Sequence, residues 1–153
     1  MNKIYLDNAA TTKPDREIAE RDLKLLCDCF YNPSALYKGG MEAKKILEKS
    51  REVFLKAFKG KKIIFTSCGT EADDTAIFSF FKRGNAVTTL SEHSAVFKTF
   101  EALRQKGFDV RYAALKDGGA VDENDLLSKV DKNTTFVSVV HVNNETGAIN
   151  DIA

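Results

Sequence analysis

Three short polar stretches, each following an apolar run, hold residue types from which a site for a phosphorylated ligand can be built. The first is Ser67-Cys68-Gly69-Thr70-Glu71, after Ile63-Ile64-Phe65-Thr66. A turn at Gly69 that opens a helix at Thr70 presents unpaired amide N–H groups and the positive end of a dipole. The Thr70 hydroxyl adds a donor, so the stretch can cradle an anion. Ser67 and Thr70 can equally serve as plain helix caps. The second stretch is Ser91-Glu92-His93-Ser94. Its imidazole can stack on a flat heteroaromatic ring or shuttle a proton, or it can cap a helix or face solvent. The third is Asn143-Asn144-Glu145-Thr146-Gly147. The Asn144 amide can hold a ring oxygen or a substrate carbonyl, although an Asn pair ahead of a Gly is also ordinary turn chemistry. Cys68 is either a reactive thiol near a helix start or a small packed residue. His141 lies within an apolar run and reads as a hydrogen-bonded structural residue.

These groups meet only if the elements between them bring the three stretches to one edge. Apolar patterning predicts strands over 63–66, 86–90, 108–113 and 134–142, and helices over 70–82, with Ala76, Ile77, Phe80 and Phe81 inward, and 94–106. Asp122 caps a short helix to Val130. Upstream, Pro14 preorganises a first helical turn, with Asp15 and Glu17 at its positive end and Ala19, Leu23, Leu26 and Phe30 on one face. Asn32-Pro33-Ser34 ends that helix, and a long amphipathic helix follows Gly39-Gly40 and closes at Gly60. Strands separated by helices imply crossover connections. The expected class is therefore α/β, a mostly parallel sheet with helices on both faces. Residues 1–60 read as an N-terminal arm with helices, and 61–153 as the first part of the α/β domain. In such sheets ligands bind beyond the carboxyl ends of the strands, where all three stretches fall.

With 23 basic and 22 acidic residues well mixed, the net charge of +1 offers no stripe for nucleic acid or an anionic membrane. No apolar run approaches a membrane span and no secretory leader precedes Ile4-Tyr5-Leu6, so a cytoplasmic location is expected. Three cysteines argue against a disulfide framework. Cys27-Asp28-Cys29 has the wrong spacing for paired zinc ligands, and no metal site is expected; Cys29 reads as helix-face packing.

Five motifs together carry a family resemblance. Tyr5-Leu6-Asp7-Asn8-Ala9-Ala10-Thr11-Thr12, Asn32-Pro33-Ser34, Phe65-Thr66-Ser67 with Gly69-Thr70-Glu71, Glu92-His93 and His141-Val142-Asn143-Asn144-Glu145-Thr146-Gly147 resemble, in order, the cysteine desulfurases. These are fold type I pyridoxal-phosphate enzymes of the class V aminotransferase group. The resemblance implies pyridoxal 5'-phosphate as cofactor, its phosphate on Gly69 and Thr70, its ring stacked on His93 and its phenolic oxygen on Asn144. His93 would also take part in proton transfer. L-cysteine is the implied substrate: a mobile cysteine thiolate attacks its sulfur, alanine leaves, and the persulfide passes to a sulfur-acceptor protein for iron-sulfur cluster or thio-cofactor synthesis. Other class V enzymes share the cradle and stacked ring, and a noncatalytic fragment binding a phosphate ligand or a partner protein is the alternative.

Measured against that pattern, the Schiff-base lysine, the aspartate for the pyridine nitrogen, the substrate-carboxylate arginine and the persulfide cysteine fall after residue 153. The chain is therefore expected to be the N-terminal part of a longer enzyme, lacking the rest of the large domain and the small C-terminal domain, and inactive alone. Asp74 stands where the family usually has Asn, and a carboxylate turned toward the cradle would weaken phosphate binding, although its helix position can equally turn it outward. An open parallel sheet invites a partner, so a homodimer or a second chain completing the fold is expected.

Overall fold

A computed structural model describes residues 4–152. The chain divides into two compact units between Phe65 and Thr66.

In the first unit, helix α1 spans Arg16–Asp28 and is capped by Asp15, whose carboxylate accepts from the Glu17 and Ile18 N–H groups at 2.9 and 3.2 Å. Pro14 therefore lies outside the helix rather than in its first turn. The helix stops at Asp28, short of Phe30, so Cys29 is its C-cap and not part of a helical face. Helix α2, Lys38–Phe58, takes Gly39 and Gly40 into its first turn. A Cβ at Gly40 would lie 2.6 Å from the Ala35 carbonyl oxygen and 2.8 Å from that of Asn32, so the turn before the helix can pack there only against glycine. At the other end it is Lys59, not Gly60, that takes the left-handed conformation (φ 50°), while the Gly60 N–H donates to the Leu55 carbonyl at 3.1 Å. Residues 63–66 join no strand among the described residues. The Ile63 carbonyl accepts instead from Arg51 Nη1 at 2.6 Å, and the Arg51 guanidinium lies 4.9 Å from the Phe65 ring centroid. The strand expected there is thus replaced by a side-chain bond.

The second unit runs α3 (Gly69–Phe80), β1 (Asn85–Thr89), α4 (Ser94–Gln105), β2 (Asp109–Ala113), α5 (Glu123–Lys129) and β3 (Thr134–Val137). The strands order β2-β1-β3, all parallel, and every residue of the central β1 is buried. On one face Ala86 and Val110 join Ile77 and Phe81 with Phe100 and Leu103 of α4, and Phe136 packs against that cluster. Ile77 and Phe81 turn inward as patterned, but Ala76 and Phe80 are exposed, so α3 is rotated from the expected face. On the opposite face Arg111 donates to the Lys129 carbonyl at the end of α5, at 2.8 Å. Helices thus cover both faces of a parallel sheet, the α/β class that the patterning implies. Among the described residues no helix is long and apolar enough to cross a membrane.

Strand β3 is much shorter than the apolar run 134–142. Ser138 N–H still donates to the Val87 carbonyl at 3.0 Å, but beyond it the chain leaves the sheet. The buried Asn150 draws it away, donating from Nδ2 to the Val140 carbonyl at 2.7 Å and from its backbone N–H to the His141 carbonyl at 2.8 Å. A bond that an edge strand would have made is therefore supplied by a side chain. His141 itself is exposed, and its imidazole makes no hydrogen bond to a described residue, contrary to its reading as a structural histidine.

At the amino ends of the strands a polar lock holds register. Asp131 accepts from Asn85 Nδ2 at 2.9 Å and from Arg111 Nη1 at 2.8 Å, and Arg111 also pairs with Asp109. The Arg111 guanidinium, then the Asn85 amide, lower the Asp131 carboxyl to about 2 from 3.8. A depressed carboxylate contributes stability that is complete above the unfolded value and lost as pH falls through the folded one. Urea midpoints followed by circular dichroism should therefore decline between pH about 4 and about 2, and Asp131→Asn should flatten that decline. An unchanged acid limb in the variant would remove Asp131 from the account.

Candidate cofactor site

Helix α3 begins at Gly69 behind Cys68, its N-cap, and no side-chain hydrogen bond caps it. Glu71, in the first turn, folds back instead: its Oε2 accepts from both the Ser67 N–H and the Ser67 hydroxyl, each at 2.6 Å. The Ser67 hydroxyl, then the Ser67 amide, hold the Glu71 carboxyl below its ordinary value. The plain capping role open to Ser67 is therefore taken up with Glu71, while the Thr70 hydroxyl makes no bond to a described residue. A Cβ added at Gly69 would meet nothing within 4 Å, so the flank of the first turn is open. Cys68 is exposed rather than packed. The Glu71 N–H first, and the Ser67 hydroxyl second, hold its thiol below the ordinary value. The single Ser67 proton is better placed on Glu71 at 2.6 Å than on Cys68 Sγ at 3.8 Å, which leaves the helix-start amides as the durable cause.

After β1, Thr89 and Ser91 share a hydroxyl–hydroxyl bond of 3.1 Å, and the chain turns into α4 at His93. The imidazole is the N-cap: Nδ1 accepts from the Ala95 N–H at 3.2 Å. That bond assigns the ring proton to Nε2, which has no partner among the described residues. The cap role and a ligand role are thus compatible, because they use different parts of one ring. Beside it, Glu92 is half-buried and accepts from the Ser138 hydroxyl at 3.1 Å. Burial pushes its carboxyl up, the Ser138 bond opposes this, and the nearby charge of Asp73 from α3 adds to the rise.

The third stretch turns on Asn143, a residue whose individual role the sequence did not reveal. Buried at 9% exposure, it accepts on Oδ1 from the Glu145 N–H (2.9 Å), the Thr146 N–H (2.8 Å) and the Thr146 hydroxyl (3.2 Å). Its Nδ2 donates to the Ser91 carbonyl at 2.8 Å. Its backbone N–H and carbonyl close the turn on Ala148 (2.9 Å) and Gly147 (3.0 Å). The signal for this was the Asn-x-Glu-Thr-Gly spacing, which is Asx-turn chemistry, but its reach to Ser91 is tertiary. Asn144, next to it, is exposed and its amide is unpaired among the described residues.

The parallel order places the start of α4 and the turn after β3 at the carboxyl ends of β1 and β3, and α3, which leads into the amino end of β1, is bonded to α4. The Asn143–Ser91 bond joins the His93 and Asn144 stretches. Asp74 and Thr99 join α3 to α4 by a short hydroxyl–carboxylate bond. Asp74 is therefore turned toward α4. An open helix start, an exposed imidazole and an exposed amide make a donor set suited to a flat, phosphorylated and anionic ligand.

That layout is the α/β large-domain class, and the comparisons narrow it. Residues 4–153 match the family model for aminotransferase class-V, and the chain belongs to that family. It is similar to the cysteine desulfurase IscS of Buchnera aphidicola subsp. Schizaphis graminum, 40% identical across 99% of this chain and 40% of the relative. The cysteine desulfurase IscS of Neisseria meningitidis serogroup C is 36% identical over 97% of this chain and 39% of its own length. Among solved structures, a NifS-like protein superposes with a TM-score of 0.89 at 35% identity, covering 97% of this chain and 43% of that one. SspA in complex with cysteine does so with a TM-score of 0.87 at 29% identity, covering 97% and 45%. The chain thus spans about two-fifths of the length of the curated relatives it matches.

Because Asp74 is engaged by Thr99, Asp74→Asn should change affinity for inorganic phosphate or pyridoxal phosphate by less than about twofold in titration calorimetry. Thermal stability should also hold, since an amide oxygen accepts the same bond. A gain above about tenfold would show instead that the carboxylate faces the anion.

Proposed function

We propose that residues 66–152 carry the phosphate and ring contacts for pyridoxal 5'-phosphate in a cysteine desulfurase. The observation that carries this reading is the Asn143–Ser91 bond, which ties the turn of Asn144 to the loop of the capping His93, beside α3, whose start is open and which Asp74 bonds to α4. The amides of Gly69 and Thr70 and the Thr70 hydroxyl would bind the phosphate, which the open flank at Gly69 admits. His93 would lie against the ring, its Nδ1 fixed by Ala95 so that its orientation costs little on binding. Asn144 would donate its amide to the phenolic oxygen. Pyridoxal phosphate supplies, when bound, an electron sink for a carbanion at the substrate carbon. The protein's part is to hold that ring flat, keep its phosphate charge paired and place Nε2 of His93 where a proton can be given or taken.

L-cysteine as substrate and a sulfur-acceptor protein as recipient belong to the same proposal, supported by similarity to relatives named cysteine desulfurase. A homodimer, or a second chain along the open sheet edges, belongs to the same reading: Val137 is 46% exposed and Leu127 66%.

Titration of the purified chain with pyridoxal phosphate, followed by absorbance with and without borohydride, tests the site. Reversible binding is expected, with borohydride mapping to no single lysine, since the pattern's Schiff-base lysine is not among these residues and Lys116 and Lys129 are paired with Glu123 and Asp125. Thr70→Ala and His93→Ala should each weaken binding by about tenfold, the worth of one or two lost contacts. Binding that both variants leave intact would place the cofactor elsewhere.

A further inference from the structure

One buried hydrogen-bonding residue, Asn143, touches no ligand in the proposed site. We infer that Asn143 is the positioning residue that sets the imidazole of His93 and the amide of Asn144 at a common depth and spacing, an inference that rests on the proposed cofactor site. Asn143 spends its two side-chain functions on different loops. Oδ1 gathers the Glu145 and Thr146 amides into the turn that follows Asn144, and Nδ2 reaches the Ser91 carbonyl, two residues before His93. Both loops otherwise face solvent: His93, Ser94, Asn144 and Glu145 are exposed, whereas Asn143 is buried. A buried amide held by four side-chain hydrogen bonds to two loops is constrained, and such constraint is what two exposed ring contacts need if they are to meet one planar ligand at a low cost in ordering entropy. The Glu92–Ser138 bond strengthens the same junction, because it ties the residue before His93 to the chain just after β3.

Asn143→Asp separates the two functions. The carboxylate keeps the acceptor that organises Glu145 and Thr146 but loses the donor, and sets an oxygen against the Ser91 carbonyl. Thr146→Val is the control, removing the hydroxyl's bond to Asn143 Oδ1 and the one it accepts from the Ala148 N–H, both within the turn, while leaving the Ser91 bond in place. In the chain without ligand, Asn143→Asp should speed hydrogen exchange at the Ala95 amide, which caps onto His93, by about tenfold or more, while Glu145 and Thr146 change little. It should also weaken pyridoxal phosphate binding by about tenfold. Thr146→Val should leave the Ala95 amide and the affinity within about twofold. Unchanged exchange at Ala95, or unchanged affinity despite faster exchange, would overturn the inference. Failure of the unaltered chain to bind would sink the cofactor reading instead, leaving the coupling of the two loops to stand or fall on the exchange data. If Asn143→Asp does not fold, the unaltered chain decides: ligand must slow exchange at Ala95, Glu145 and Thr146 together, and slowing in one loop alone overturns the coupling.

Discussion

Burial of the five-residue strand Asn85–Thr89 is the constraint on which the second unit depends. A parallel strand flanked on both edges and covered on both faces can exist only with helical crossovers on either side, and those crossovers return each chain segment to the same end. Phe100, fully buried against this strand's cluster, illustrates the driving force. A side chain of that size removed from water contributes about 1.5–3 kcal/mol. Thr88, on the same side of the strand as Ala86, shows the cost: its hydroxyl is buried without a partner among the described residues.

The two ends of the sheet divide the polar work. At the amino end, Asp131, Asn85, Thr134 and Arg111 saturate one another, with Thr134 Oγ1 donating to Asn85 Oδ1 at 2.6 Å. Such a closed network holds register and leaves little capacity for a ligand. At the carboxyl end the pattern reverses. The buried Asn143 bonds to two loops, while exposed groups, the Thr70 hydroxyl, Nε2 of His93 and the Asn144 amide, are left unpaired among the described residues.

Much of the secondary unit was legible because its signals are local. The Asp122 cap and the inward Ile77 and Phe81 follow from side-chain period and capping chemistry. Where local signals failed, a long-range bond had intervened. The apolar run through Val142 reads as one strand, yet Asn150 takes the Val140 carbonyl and ends the ladder at Val137. The stretch from Ile63 gave up its strand bond to Arg51. Asp74 looked like a threat to an anion until Thr99, on the next helix, claimed it.

The sequence by itself determined the class of the chain and the residue types at its strand ends, because hydrophobic period, capping and turn residues are properties of neighbours along the chain. Family motifs from Tyr5 to Gly147 added the cofactor expectation. Only the tertiary structure decided how the polar groups share their protons: that His93 caps a helix through Nδ1 and so leaves Nε2 open, and that Glu71 is spent on Ser67. It also decided that Asn143, rather than the more visible Asn144, bridges two loops 52 residues apart. A hydrogen bond depends on distance and direction between groups that the chain brings together only on folding, and no spacing along the sequence encodes that partner choice.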